Sequence, residues 1–392
     1  MIAAADLAAR LAGLEKIGLG ESGTTRLPWT PEDEAAGEWF EAQAASCGLR
    51  AERDPAGNRW AVPNTPSPWW AVGSHTDSVR AGGRFDGALG VAAGFEVAAR
   101  SGRPVAVLSF ADEEGARYNT PTFGSRALAG RLDVADVLER ADDDGVRMAD
   151  ALAAAGVDPG ALPLAQAWLE RLAGFVELHI DQSRDLAAAG APAGAVRSLA
   201  SRTRLALELR GRADHAGTTR MDERSDALAA AAAVIVRAVE LAAADPDLVV
   251  TPSRLLVEPN AFSTVPSRVR LWLDARGPTD QALDRWRDTL ASGAAESAAA
   301  ARVRLDIAVA SRSPAVEFDP RVRAALGTAL GHADELLCFA GHDAGILAPL
   351  RPAGMVLVRN PTGISHSPDE EVDLADAAVA AQAVLGALEA LA

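Results

Sequence analysis

The chain has 392 residues, of which 49% are hydrophobic and 23% are charged, a balance typical of folded globular proteins rather than disordered or fibrous ones. At about 150 residues a domain, this length suggests two or three domains. The formal net charge of −16 argues against a nucleic-acid partner and against binding to an anionic membrane surface, because phosphate groups are bound by a basic face.

Residue usage disfavours several further classes of protein. The most apolar stretch, residues 227–244, is interrupted by Arg237 and Glu240, so we expect no transmembrane segment. The N-terminus has no basic leader and carries Asp6 in its apolar run, unlike a secretory signal, and we therefore expect a cytoplasmic location. Two cysteines are too few for a disulfide framework, and the single lysine, Lys16, argues against Schiff-base or pyridoxal chemistry.

The first part of the chain predicts helices followed by an alternation of strands and helices. A helix is expected from Pro31, with acidic residues in its first turn. Strands are expected at 69–75 and 105–111, separated by a glycine-rich loop (81–90) and a helix at 91–100. Near-continuous apolar strands that alternate with helices indicate an α/β layer with a mixed, largely parallel sheet. Ligands of such sheets bind at the carboxyl ends of the strands.

A different pattern occupies residues 199–312. Strands near 205–211, 253–258, 268–275 and 303–310 and helices near 224–244 and 279–299 follow one another in the order β-α-β-β-α-β, the ferredoxin-like layout. After Pro314 the α/β pattern resumes, with a helix at 320–332, an apolar run at 354–358 and a terminal helix at 372–391. We therefore predict a discontinuous larger domain, 1–198 and 313–392, and an inserted α+β domain, 199–312.

The loop GSHTDSVRAGGRFDGALGV (73–91) contains candidate metal ligands. His75 and Asp86 are suitable ligand types, and a carboxylate can bridge two cations because it has two oxygens. Asp77, two residues after His75, could hold the ring N–H that does not face the metal. Taken alone, a histidine and an aspartate in a surface loop are more often coincidental than functional.

The run SFADEEGARY (109–118) strengthens that interpretation, because it places Glu113 and Glu114 after an apolar strand. One glutamate could bind a metal while its neighbour acts as a general base. Adjacent like charges are unfavourable unless cations neutralise them. Two glutamates are also common at the solvent-exposed start of a helix. This run alone therefore does not distinguish a metal site from such a helix start.

Three further histidines lie in ordered surroundings: His179 after FVEL, His366 in GISHSPDEE and His215 in GRADHAGTTRM. Each could be an ordinary core histidine. However, His75, His179 and His366 all lie near predicted strand ends of the larger domain and beside acidic loops. Together with the carboxylates they form a set of ligands suited to two divalent ions such as Zn²⁺, Mn²⁺, Co²⁺ or Ni²⁺.

Many ordered blocks of this sequence resemble the M20 metallopeptidase-type amidohydrolases, and specifically their hydantoinase/carbamoylase branch. That branch comprises N-carbamoyl-L-amino acid amidohydrolases, β-ureidopropionases and allantoate amidohydrolases. The blocks cover nearly the whole chain: GTTRLPWT, GSHTDSV, GGRFDGALGV, DEEGARY, ELHIDQ, ADHAGTTRMDERSDA, VEPNAFSTVPSRV, GHDA and GISHSPDE.

The resemblance implies two divalent ions per subunit and a role for each matching residue. One ion would be held by His75 and His179 and the other by Glu114 and His366, with Asp86 bridging them. Glu113 would be the general base for a metal-bridging water, and His215 would stabilise the oxyanion in the site of a partner subunit. Gln182, Asn260 and Arg276 would bind the substrate, and Arg276 would pair with the carboxylate of the substrate. The resemblance also implies that the inserted domain acts as a lid and mediates homodimerisation.

Some positions depart from the family pattern, namely HIDQS (179–183), AGAVRSLAS (193–201) and CFAGHDA (338–344). None removes a proposed ligand, but they leave the substrate open, with a slight preference for N-carbamoyl-L-amino acids over allantoate. His342 and Asp343 are not assigned as ligands. An M20-type dipeptidase or N-acyl-amino acid amidohydrolase is the alternative function, and a non-catalytic binding protein on the same fold is a more remote one.

Overall fold

The computed structural model describes residues 1–332 and 335–391, which form fifteen strands and twelve α-helices. The strands are β1 (Leu19–Gly20), β2 (Gly23–Thr24), β3 (Arg50–Arg53), β4 (Arg59–Val62), β5 (Trp69–His75), β6 (Val105–Phe110), β7 (Leu172–Ile180), β8 (Ala193–Leu199), β9 (Ser201–Arg210), β10 (Val249–Glu258), β11 (Arg268–Gly277), β12 (Arg304–Ser313), β13 (Val316–Glu317), β14 (Glu335–Cys338) and β15 (Ala353–Val358).

The α-helices are α1 (Ala4–Leu14), α2 (Pro31–Ser46), α3 (Ala88–Arg100), α4 (Phe123–Leu128), α5 (Val134–Leu138), α6 (Met148–Ala154), α7 (Asp185–Ala189), α8 (Ala227–Ala243), α9 (Asp280–Ala300), α10 (Pro320–Leu330), α11 (Asp343–Leu347) and α12 (Leu374–Ala390). Two 3₁₀ segments lie at Pro159–Arg171 and Met221–Glu223. None of the helices in the described part of the chain has the length and hydropathy of a membrane span.

The chain divides into two compact units. The first comprises Met1–Arg197, Glu317–Leu336 and Ala340–Ala392, and the second comprises Ser198–Val316 with Leu337–Phe339. All five proposed metal ligands and Glu113 belong to the first unit, whereas His215, Asn260 and Arg276 belong to the second.

The larger sheet has the order β13-β8-β15-β7-β5-β6-β4-β3, with β14 paired to β8. Its four central strands, β15, β7, β5 and β6, are parallel, whereas β8, β4 and β3 join them in antiparallel pairs. The central strands are buried at nearly every position, as expected of parallel strands covered on both faces. This result confirms the prediction of a mixed α/β fold with a largely parallel central sheet.

One face of this sheet packs against helices α3, α10 and α12, and α1 packs on α3 and α12. Alternate strand residues such as Val176 and Leu178 enter that core together with Leu11, Phe95 and Val384. Helices α4 and α11 also contact the sheet, at β6 and at β7 with β15. Because the central strands run parallel, their carboxyl ends lie along one edge of the sheet, and the loops that follow β5, β6, β7 and β15 lie at that edge.

The second unit is an antiparallel sheet of order β10-β11-β9-β12, with α8 and α9 packed on one face. The connectivity β9-α8-β10-β11-α9-β12 is that of a ferredoxin-like fold. Asp226 caps α8 by accepting hydrogen bonds from the backbone N–H groups of Leu228 and Ala229, both at 3.0 Å.

Candidate metal centre

Two buried histidines lie at the carboxyl ends of neighbouring parallel strands. His75 is the last residue of β5, and His179 is the penultimate residue of β7. Their rings are stacked, with centroids 5.8 Å apart, and both side chains are about 1% exposed. The parallel pairing of β5 and β7 therefore brings together two ligands that are more than one hundred residues apart in the sequence.

The Nδ1 atoms of both histidines contact backbone carbonyl oxygens. His75 Nδ1 lies 3.0 Å from the Asp77 carbonyl, and His179 Nδ1 lies 3.0 Å from the Ile180 carbonyl. A carbonyl only accepts, so Nδ1 donates in each ring, and Nε2 is the nitrogen left to face a cation. His75 Nε2 is buried and has no hydrogen-bond partner among the described residues. A buried ring nitrogen without a partner is suited to bind a cation, which would take the place of its proton.

Asp86 lies between these histidines and His366. Its Oδ1 is 3.4 Å from His75 Nε2 and 3.0 Å from His179 Nε2, and its Oδ2 is 3.6 Å from His366 Nε2. Glu114 Oε2 is 3.4 Å from the same His366 nitrogen. The ligand atoms form two groups that share Asp86, each within 4.8 Å: His75, Asp86 and His179, and Asp86, Glu114 and His366.

Gly87 lets the Asp86 loop pass directly over the His75 ring. Its φ is +64°, and a Cβ at this position would lie 2.4 Å from His75 Cε1 and Nε2. Any larger residue would therefore be strained in its backbone and would collide with a ligand.

The Asp77 carboxylate has a different contact from the one that the sequence suggested. Its oxygens accept hydrogen bonds from the backbone N–H groups of Glu113 (3.2 Å) and Glu114 (3.1 Å). The nearest carboxylate oxygen is 3.6 Å from His75 Nδ1, beyond hydrogen-bond distance, and the Asp77 carbonyl contacts that nitrogen instead. Asp77 thus contacts His75 through its backbone and both glutamates through its side chain.

Glu113 and Glu114 follow β6 in a bend, and both carboxyl groups are largely buried. Glu113 Oε2 is 3.8 Å from His75 Nε2. Burial, reinforced by the carboxylates of Asp343 and Glu114, raises the pKa of Glu113 well above its usual range. Burial and the charge of Asp86 raise the pKa of Glu114 to about 8. The acidic groups therefore repel one another where only protein atoms surround them, and a divalent cation would relieve that repulsion.

The pKa of Asp86 is shifted in the opposite direction, downward. Burial disfavours its ionised form, but the neighbouring imidazoles of His179 and His75 outweigh burial and hold its pKa well below the usual range. The shared ligand is therefore the carboxylate that stays charged. Its Oδ2 also accepts hydrogen bonds from Gln182 Nε2 (3.1 Å) and Ser365 Oγ (3.2 Å).

A second layer of buried polar residues lies behind His179. The His342 ring packs edge-on against His179, with centroids 4.5 Å apart. Glu177 accepts hydrogen bonds from Ser74 Oγ (2.7 Å) and from the backbone N–H of Ala344 (2.8 Å). Burial holds the pKa of His342 well below its usual range, so its ring is neutral. The sequence singled out His342 and Asp343 without a role, and it gave no signal for Glu177.

The remaining sequence-predicted residues lie in the second unit. His215 is exposed, and its Nδ1 accepts hydrogen bonds from the backbone N–H groups of Gly217 (3.0 Å) and Thr218 (3.2 Å). The proton of its neutral ring is therefore on Nε2, which can donate. Arg276 on β11 donates to the Phe339 carbonyl (2.6 Å) and to Asp274 (3.2 Å). Asn260 is exposed after β10.

Comparisons with known proteins agree with these features. Residues 61–390 match the model of peptidase family M20/M25/M40. An N-carbamoyl-L-amino acid amidohydrolase of Geobacillus stearothermophilus is 37% identical, over 95% of this chain and 95% of its own. An allantoate amidohydrolase of Bacillus subtilis is 32% identical, over 89% of this chain and 88% of its own.

Solved structures extend the similarity to the fold. The hydantoinase/carbamoylase family amidase of Burkholderia multivorans has a TM-score of 0.87 at 28% identity and covers 99% of this chain and 97% of that one. The amidase of Burkholderia ambifaria has the same TM-score at 29% identity, again with 99% and 97% coverage. The resemblance read from the sequence blocks is thereby confirmed, and the chain belongs to peptidase family M20/M25/M40.

Proposed function

We propose that this protein is a metal-dependent amidohydrolase that cleaves the C–N bond of a ureido group in a small carboxylate substrate. The observation that carries this proposal is the convergence of four other ligand side chains on Asp86, with the Glu113 carboxyl group 3.8 Å from His75 Nε2. An N-carbamoyl-L-amino acid is the favoured substrate, because the relative that bears this name is 37% identical over 95% of both chains.

The residues present fit two divalent ions per subunit. His75, His179 and Asp86 would hold one, and Asp86, Glu114 and His366 the other. The unpartnered His75 Nε2 and Glu114 Oε1 support this assignment, since a cation would satisfy both buried atoms. Nitrogen and carboxylate donors suit Zn²⁺, Mn²⁺, Co²⁺ or Ni²⁺. When bound, such ions supply polarisation of the ureido carbonyl and lower the pKa of water.

Glu113 would act as the general base. It is not needed in either ligand group, it is buried, and its backbone N–H is fixed by Asp77. A carboxyl group with a raised pKa is suited both to accept a proton from water and to return it near neutral pH. Glu113 would take the proton of the attacking water and donate it to the leaving nitrogen.

The overall reaction consumes one water. Hydrolysis of R–NH–CO–NH₂ at the bond between the carbonyl carbon and the substituted nitrogen gives R–NH₂ and carbamic acid, H₂N–COOH. Carbamic acid then breaks its remaining C–N bond without further water and gives NH₃ and CO₂. Gln182, Asn260 and Arg276 would bind the substrate, Arg276 as a charge-assisted donor to its carboxylate. His215 would stabilise the developing oxyanion through Nε2–H, which is left to donate because Nδ1 accepts from Gly217 and Thr218.

A homodimer formed through the second unit is part of this proposal. Strand β10 is an edge of the smaller sheet, and Val249 and Leu255 on β10 and Val236 and Val239 on α8 are exposed apolar residues. An exposed edge strand with apolar neighbours favours pairing with a second copy. Light scattering should give about twice the chain mass of 40.5 kDa, and a monomer at micromolar concentration would contradict the dimer.

A substrate panel tests the reaction. Metal-free protein is loaded with Zn²⁺ or Mn²⁺ and incubated with N-carbamoyl-L-amino acids, N-carbamoyl-β-alanine, allantoate, dipeptides and N-acetyl amino acids. Ammonia release from an N-carbamoyl-L-amino acid is the expected result. Release of free amino acids from only the dipeptides or N-acetyl compounds would favour the alternative function, and no turnover of any compound would contradict enzymatic activity.

A further inference from the structure

A buried carboxylate outside the ligand set connects two loops of the metal centre. Glu370 lies four residues after His366, and its Oε1 accepts hydrogen bonds from the backbone N–H groups of Phe85 (2.8 Å) and Asp86 (3.0 Å). The residue is 5% exposed. Glu370 therefore links the loop that carries His366 directly to the residue that both ligand groups share.

Gly83 provides the space for this carboxylate. A Cβ at Gly83 would lie 2.5 Å from Glu370 Cδ and Oε1, which is closer than non-bonded atoms approach. The φ of Gly83 lies outside the left-handed region, so its backbone conformation is open to other residues. What a larger side chain would disturb at this position is the Glu370 carboxylate.

His366 depends on such a link more than the other ligands do. His75 and His179 belong to buried strands, whereas the His366 side chain is 50% exposed and its φ is +57° in a loop. Ser365 Oγ also contacts Asp86, but at Oδ2, the oxygen that faces His366. The Glu370 bonds reach the backbone of Asp86 and leave both carboxylate oxygens available as ligands.

We propose that Glu370 is a positioning residue for the ion held by Asp86, Glu114 and His366. It belongs to neither ligand group, and it acts by fixing the His366 loop and the Asp86 backbone relative to each other. The inference rests on the two-ion centre of the proposed function. Residues that orient metal ligands in this way typically contribute about 10- to 100-fold to metal affinity.

Zinc titration of metal-free protein against a chromophoric chelator tests the proposal. The wild-type chain is expected to bind two Zn²⁺, and Glu370→Ala is expected to bind the second ion about 10- to 100-fold more weakly. Glu370→Gln retains an acceptor oxygen and should recover most of this affinity. Glu371→Ala, which removes the exposed neighbouring carboxylate, is the matched control and should bind both ions as the wild type does.

Gly83→Ala gives an independent test that leaves Glu370 in place. Its Cβ should displace the carboxylate and weaken the same ion, whereas adding Gly83→Ala to Glu370→Ala should cause no further loss. Circular dichroism of the metal-free variants establishes that each is folded. Two ions bound with unchanged affinity by folded Glu370→Ala would overturn this inference alone, and fewer than two ions on the wild type would overturn the two-ion centre as well.

Discussion

Replacing Glu113 with Gln should abolish most of the activity while leaving the metal centre intact. Glutamine has the same shape and can still hydrogen-bond, but it cannot accept a proton from water. The Asp77 carboxylate would still hold its backbone N–H at 3.2 Å. Because Glu113 belongs to neither ligand group, the variant should bind as many ions as the wild type.

The size of the activity loss in Glu113→Gln depends on whether another carboxylate can act as the base. The other carboxylates closest to His75 Nε2 and His366 Nε2 are Asp86 and Glu114, and both would be occupied as ligands. General-base catalysis contributes about 10²- to 10⁴-fold, and the use of both neighbouring carboxylates as ligands favours the upper half of that range. A loss of about 10³-fold in kcat corresponds to about 4 kcal/mol in the activation free energy.

The assay is steady-state ammonia release from an N-carbamoyl-L-amino acid, with the metal content of each sample measured by elemental analysis. Glu113→Asp, which keeps the carboxylate but moves it away from the reacting water, should retain more activity than Glu113→Gln. Turnover by metal-loaded Glu113→Gln above a tenth of the wild-type rate would refute the assignment of Glu113 as the base.

Four further predictions concern stability and the metal centre. Gly87→Ala should lose ion binding, and the positive φ alone should cost about 1–2 kcal/mol of stability. Gly102→Ala is the control, because an added Cβ meets nothing within 4 Å there, and it should keep both ion binding and stability. Zinc titration and thermal unfolding measure the two effects. Arg171→Met should lower the free energy of unfolding by about 1–2 kcal/mol, because Arg171 lies 4.4 Å from the Trp168 ring centroid and 2.6 Å from Glu52. Arg50 is the more exposed of the two arginines that pair with Glu52. Arg50→Met should therefore change the free energy of unfolding, measured by urea denaturation, by less than about 0.5 kcal/mol. Removing the ions should lower the free energy of unfolding. The loss should be about 4 kcal/mol for each ion whose free concentration is a thousand times its Kd. In the metal-free protein the pKa of Glu114 is raised from 4.5 to about 8 and that of Glu370 to about 7. Between pH 4.5 and 8 the folded state therefore binds more protons than the unfolded chain. The free energy of unfolding should fall as the pH rises through this range. A metal-free melting temperature that rises over this pH range would contradict that sign.

The sequence by itself determined the local structure and the chemical character of the protein. The strand at 69–75 was predicted with the bounds observed, and the helix predicted at 91–100 begins three residues earlier, at Ala88. Apolar periodicity and helix-start signals act over a few residues, so these features can be read locally. The ordered blocks also gave the family, because ligand types and their order along the chain are written in the sequence itself.

Only the tertiary structure decided which polar groups contact one another. The Asp77 carboxylate binds the backbone of Glu113 and Glu114, Gln182 donates to Asp86, and Glu370 reaches the Asp86 backbone from 284 positions away. These contacts depend on the strand order that brings β15, β7, β5 and β6 side by side. Strand order is set by packing of the whole sheet, and no local pattern encodes the distance between two loops that follow different strands.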